Sequence, residues 1–298
     1  MRGPRADAEG GPGGATNVSG PPRSRDARRS AERRTALRST LIAIVSTAVF
    51  VSVLALIVVN APGWPQVQES FLNSEVFWQT LPTLVEAFWV NVQLFLIAEV
   101  LILAFGLLLA VLRGLSGPVF FPIRSMATIY VDVFRALPSL LVIYILGFGI
   151  PGLGIAGLPV DPFFYAVIAL TLVYSAYVSE VYRAGIESVH PSQEAAARSL
   201  GLSRLQSLRY VVLPQAVRRV IPPLLNDFIG LQKDTVLVAS IGVVEIFRQS
   251  FIRESATFNY TPYMATALVF IVVTIPLARF TDWLIARDRR RQAAGTAR

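Results

Sequence analysis

Apolar and polar positions along this chain alternate in long blocks. From Leu41 to Val59 the sequence is an almost uninterrupted apolar run, long enough to cross a hydrocarbon core. A second run from about Phe88 to Leu112 contains Asn91, Gln93 and Glu99, which are expected to face other helices rather than lipid. A third lies between Arg135 and Pro151. It is short and holds Pro138, so a helix that begins before Arg135 and bends near the proline is expected. Further spans are predicted at about Phe163–Tyr182, at Val220–Phe247 with Asp227, Lys233 and Asp234 interrupting it, and at Tyr263–Ile285. The pattern therefore predicts an all-α, polytopic membrane protein with six transmembrane helices and no internal repeat.

The segments between the runs differ in kind. Residues 1–38 are rich in Gly, Pro, Ser and Arg and offer little to bury, so they read as a disordered basic tail. Residues 39–60 form the first helix. Residues 61–86 hold Glu69 and Glu75 without a cation, and VQESFLNSEVFWQTL has the pattern of a short amphipathic helix on the outer surface. Residues 149–162 carry four Gly and three Pro, again without a cation, and read as an outer loop. Residues 183–219 are Arg-rich with no long apolar run and read as the largest cytoplasmic loop, set in a core of 87–286. A basic tail, 287–298, closes the chain. Arginine at both ends and six crossings place both termini in the cytoplasm, in a cytoplasmic membrane.

Composition supports this and removes alternatives. Hydrophobic residues make up 54% and charged residues only 15%, well under the roughly 25% charge of a soluble domain. The net charge of +8 comes from arginines gathered between the apolar runs; nucleic-acid binding would leave those runs unexplained. There is no cysteine and one histidine, His190, so neither a disulfide, a Cys- or His-based metal site nor a Ser-His-Asp triad is available. The single lysine, Lys233, is followed by Asp234. A phosphate-binding P-loop needs Gly-Lys-Ser/Thr, so this chain is not an ATPase of that kind and no catalytic residue is assigned.

Within the cytoplasmic loop, Pro191-Ser192-Gln193-Glu194 reads as a helix start, with Ser192 as N-cap and Glu194 in the first turn. Ala195, Ala196 and Ala197 follow, and Gly201 stands where a C-terminal cap belongs. The expected product is a short alanine-rich helix, which reads equally as one whose small side chains permit close approach to a groove on another protein or as an ordinary loop helix packed on its own subunit. Of the ionisable residues inside the predicted spans, Glu99, Glu180, Asp227, Lys233 and Asp234 are the candidates. Such residues are expensive at membrane depth and default to functional candidates. Glu180 offers a carboxylate able to meet an ammonium group, Tyr174 and Tyr177 share a helix face, and Asp234 and Thr235 add polar contacts. Equally, Lys233 and Asp234 could pair with each other or with Glu180 and Asp227. Glu99 reads as a helix–helix hydrogen-bonding residue, and Arg279 with Asp282 as a surface pair.

The stretch from Ala176 to Gly242, AYVSEVYRAGIESVHPSQEAAARSLGLSRLQSLRYVVLPQAVRRVIPPLLNDFIGLQKDTVLVASIG, closely resembles permeases of the polar amino acid ABC importers, the histidine, glutamine, glutamate and arginine systems. Their loop has the form GQxEAA, three residues, Gly, nine residues, then Ile-x-Leu-Pro; here Gly201 is followed by nine residues and Val211-Val212-Leu213-Pro214. Weaker similarity runs through GLLLAVLRGLS and YVDVFRALPSLLVIYILGFGIP. Two departures stand out: the family glutamate falls on Ala195, with Glu194 one residue earlier, and Ser192 replaces the family glycine. The resemblance implies a type I ABC permease core in the last five helices, and a coupling helix through which two ABC ATPase subunits, carrying ATP-Mg, drive alternating access. It also implies a second permease chain and an extracytoplasmic solute-binding protein as partners, with a polar or charged amino acid as cargo. A permease of the same fold for an opine or peptide, and a secondary transporter working alone, are the rival readings.

Overall fold

The computed structural model describes residues 25–296, with side chains described from residue 37 to 287 and at 290. The part of the expected tail before residue 25, and the last two residues of the chain, lie outside them. The chain divides into two units, residues 1–64 and 65–298.

In the first unit, α1 (Arg25–Val59) is one continuous helix. It starts well ahead of the expected residue 39, because Ala, Arg and Glu in DARRSAERRTALR are good helix formers and no Pro or Gly stops them. From Leu41 to Val59 its side chains are exposed and predominantly apolar, the surface of a helix made for hydrocarbon.

The second unit is built on a spine. After α2 (Trp64–Phe71), the helix α3 (Ser74–Gly114) runs for 41 residues. Asn73 caps it by accepting the Val76 N–H at 3.1 Å, so α3 starts a full segment before the expected Phe88 and carries Pro82 inside it. After α4 (Phe121–Ala136) come α5 (Ser139–Tyr144), a π turn at Ile145–Gly149 and the short α6 (Ile150–Gly152). The predicted bend at Pro138 is a full break: the two helical segments meet at 106°. Pro138 disfavours helical geometry at the residue before it, and Leu137 is extended at ψ 136. Because α4 already begins at Phe121, Arg135 stands eleven residues beyond Arg124, roughly 16 Å further along the helix.

The helix α7 (Pro162–Glu187) is capped by Asp161 and packs along α3. Contact is close at Gly106, where a Cβ would lie 2.7 Å from Val178 Cγ1. The core they share joins Leu94, Ala98 and Ile102 to Tyr165, Ala166, Leu170 and Val173, closed by Ile143, Leu231, Val238 and Ile241. Then follow α8 (Pro191–Ser199), α9 (Arg204–Ser207), a π turn at Leu208–Val212, and α10 (Leu213–Asp234). Of the expected interruption at Asp227, Lys233 and Asp234, α10 runs through Asp227 and ends at Asp234, directly after Lys233. Charge alone does not break a helix; it gives way to a 3₁₀ segment, Thr235–Ile241, ended by Gly242 at φ 96°. Glu245 then caps α11 (Ile246–Thr257), and α12 (Thr261–Thr296) completes the chain. The Asn259 side chain reaches the Glu69 carbonyl, the Tyr260 N–H reaches the Ser70 carbonyl, and Phe71 stacks on Tyr260 at 5.0 Å, which ties α2 to the α11–α12 turn.

Among the described residues four helices are long and apolar enough to cross a membrane singly: Leu37–Val59, Trp64–Gly114, Pro162–Glu187 and Thr261–Arg287. Two bent pairs, each counted as one span, raise the number to six.

Candidate functional site

Two groups of residues stand out, one in the loop between α7 and α10 and one inside the bundle. In the loop, α8 is fixed at both ends. Its N-cap is His190 rather than the expected Ser192: Pro191 takes the first helical position, where its missing N–H costs nothing, and the His190 Nδ1 accepts the Ser192 N–H at 3.2 Å while lying 2.7 Å from the Ser192 hydroxyl. At the other end Gly201 adopts φ +87°. The Gly201 N–H donates to the Arg198 carbonyl at 3.0 Å and the Leu202 N–H to the Ala197 carbonyl at 3.2 Å, which is the Schellman arrangement. Immediately beyond, Ser203 and Gln206 form a reciprocal capping box that starts α9. That Ser-x-x-Gln signal was readable in the sequence and lay unused.

Ala197 is buried, whereas Ser192, Gln193, Ala195 and Ala196 face out and Glu194 is half-buried. Leu200 is 85% and Leu205 73% exposed. The loop thus presents a face of small side chains edged by bare leucines, held by caps at both ends and by the Arg219 guanidinium donating to the Ser188 carbonyl. Leu213 and Pro214 open α10, with Leu213 exposed. At Gly185 a Cβ would fall 2.0 Å from Val220 Cγ1, so α7 and α10 approach closely beside the loop.

Inside the bundle the candidates separate. Glu180 is saturated: Arg113 donates to its Oε1 at 2.6 Å and Arg183 to its Oε2 at 2.7 Å, while Arg183 also grips Glu187 at 2.7 Å. Arg135 approaches Glu180 Oε1 only to 3.7 Å. Tyr177 donates to the Arg135 carbonyl at 3.4 Å, and Tyr174, its ring 6.2 Å from that of Tyr177, donates to Asp234 Oδ2 at 2.8 Å. None of the proposed pairings of Lys233 forms among the described residues; it lies exposed beside a cavity of about 500 Å3 lined by Val236, Leu237, Phe270, Ile271, Thr274 and Ile275. Asp227 Oδ2 is buried without a hydrogen bond. Glu99 makes none of the helix–helix hydrogen bonds expected of it, and Gln93 is exposed rather than turned to another helix. Arg279 and Asp282 form the expected exposed pair at 3.5 Å.

Sequence reasoning missed Glu245. It is fully buried, accepts the N–H groups of Phe247 at 3.0 Å and Arg248 at 2.8 Å, and receives Asn91 Nδ2 at 2.9 Å. Asn91 also donates to Thr235 at 3.1 Å and accepts the Ile246 N–H at 3.2 Å. Asn91, Thr235 and Glu245 therefore hold α3, the 3₁₀ segment and the start of α11 as one unit. No His, Cys, Asp and Glu cluster able to hold a metal occurs among the described residues.

A bundle of broken and unbroken spans with a capped helix in its largest loop defines a membrane transport subunit. Residues 103–290 match the model of the binding-protein-dependent transport system inner membrane component, and the chain belongs to that family. It is 36% identical to a probable glutamine ABC transporter permease protein of Bacillus subtilis (strain 168), covering 64% of this chain and 88% of that one. It is likewise 36% identical to a glutamate transport system permease protein of Corynebacterium efficiens, over 67% of this chain and 92% of the relative. A crystal structure of an amino acid ABC transporter with histidines superposes with a TM-score of 0.65 at 32% identity, covering 72% of this chain and 97% of that one.

Proposed function

We propose that this chain is the transmembrane subunit of an ATP-driven importer that carries a polar or charged amino acid across the cytoplasmic membrane. The observation that carries the reading is α8, a helix capped at both ends that presents Gln193, Ala195 and Ala196 outward from the largest loop. A helix of nine residues is marginal alone; fixed this way, it serves as a rigid coupling element for a separate ATPase. Two ATPase subunits carrying ATP-Mg dock there, a second permease chain completes the pathway, and a solute-binding protein delivers cargo on the opposite face. Both termini lie on the cytoplasmic side with α8. The relatives' names, glutamine and glutamate permeases, support the cargo class.

Movement of α8 reaches the spans through α7, which precedes it, and through the π turn at Leu208–Val212, which packs on α8 and leads into α10; α7 and α10 are packed against each other at Gly185. Tyr174 and Tyr177 of α7 and Lys233 and Asp234 of α10 line the pathway, whereas Thr235, fully buried and bonded to Asn91, belongs to the packing behind it. Asp234 has no cationic partner among the described residues and is suited to a cargo ammonium. Glu180, committed to Arg113 and Arg183, holds α3 and α7 together beside the pathway. The test is uptake into proteoliposomes containing this chain, its ATPase partners and its binding protein. Labelled glutamine, glutamate or arginine accumulates with ATP and not with a non-hydrolysable analogue. Accumulation without ATP contradicts the importer reading, and ATP-driven uptake of a peptide or opine alone contradicts the cargo.

A further inference from the structure

Three arginines converge on one carboxylate, and the third is left over. Arg113, only 10% exposed at its side chain, and Arg183 take the two Glu180 oxygens with short, charge-assisted hydrogen bonds. Arg135 stands 3.7 Å away, makes no hydrogen bond through its guanidinium among the described residues, and keeps 44% of its side chain exposed. Asp132, one turn earlier on α4, makes no ion pair with it. A guanidinium has five donors in a planar fork that fits a carboxylate in two-point fashion. Inside a membrane-spanning segment, a cation whose donors are uncommitted calls for a partner.

The surroundings say which partner. The Arg135 carbonyl accepts Tyr177, one turn of α7 away stands Tyr174, and Tyr174 donates to Asp234. This strip carries a cation at one end, a carboxylate at the other and two phenols between them. Neither end has an ion-pair partner at hydrogen-bonding distance. A carboxylate complements the Arg135 end of this strip.

We propose that Arg135 receives the α-carboxylate of the cargo, making it a specificity-determining residue of the pathway. The inference rests on the amino acid import reading and adds a demand that reading does not make: the cargo needs a free α-carboxylate. Purified permease with its ATPase partners in nanodiscs, without binding protein, is tested by equilibrium binding of L-arginine, L-glutamine and L-glutamate, each against its α-amide. The wild type prefers the acid to the amide by about tenfold or more, the weight of a hydrogen-bonded charge. Arg135→Gln abolishes that preference by lowering acid binding and sparing the amide. Arg135→Lys, which keeps the charge and loses the fork, weakens the acid and leaves the amide unchanged, and serves if the glutamine variant does not assemble. A purely structural role lowers acid and amide binding together; that result, or a preference that survives in Arg135→Gln, overturns the proposal while leaving the importer reading intact. Failure of the wild type to bind any of the three acids overturns both.

Discussion

Two polar assemblies lie within the helical bundle, and they are built on opposite terms. Around Glu245 everything is buried and matched: two backbone N–H groups and the Asn91 amide satisfy the carboxyl group, and Asn91 is itself satisfied by Thr235 and Ile246. Around Glu180 the groups are charged, partly exposed and unequal in number, with three arginines on one glutamate. The first is a joint, fixing the place where α10 gives way to the 3₁₀ segment and α11. The second leaves one guanidinium with capacity to spare. Low dielectric makes a fully matched network rigid and an unmatched one reactive toward ligands, so the joint belongs to the architecture and the surplus cation to the cargo.

The largest loss of stability is expected at the joint. Glu245→Ala strips two helix-start N–H groups and Asn91 of their acceptor in a buried place and should cost about 3 kcal/mol, seen as a lower thermal unfolding midpoint in detergent. Asn91→Leu, which orphans the Ile246 N–H and withdraws one donor from Glu245, should cost about 2 kcal/mol. If either variant melts like the wild type, the joint is not what holds the break together.

At the second assembly the effect is smaller and conditional. Glu180→Gln leaves Arg113 without its carboxylate and should cost about 1–2 kcal/mol, discounted because the cluster is partly open to solvent. Adding Arg113→Gln should return part of the loss, and a double-mutant cycle reads that coupling directly. Independent, additive losses would dissolve the contrast between the two assemblies. Smallest of all is Arg279→Ala, which breaks an exposed pair and should change stability by less than about 0.5 kcal/mol.

The contrast also marks how far the sequence could be read. Apolar runs located the long helices, because hydropathy over some twenty residues is a strong signal. The glycine after the alanine run announced the end of α8, since a positive φ favours glycine. Helix starts and breaks were legible only where local chemistry sets them. Asp227 looked like an interruption, yet α10 absorbs it, and at Thr235, where α10 gives way to the 3₁₀ segment, Asn91 reaches across from α3. Glu245 lies in an apolar stretch and revealed nothing of its role, because its partners are two backbone groups and a side chain 154 positions away. The helix expected to begin before Arg135 is α4, and Arg135 stands in its last turn, beside the break at Pro138.

The most direct measurement is ATP-dependent uptake by a reconstituted Gly201→Asp variant. The position has no neighbour within 4 Å of an added Cβ, so the substitution strains the backbone at φ +87° without clashing and should cost only about 1 kcal/mol of stability. With the variant folded and inserted, uptake should collapse while the chain still assembles with its ATPases, because the stop that fixes α8 has been loosened. Uptake at the wild-type rate in that variant would contradict the assignment of α8 as the coupling element.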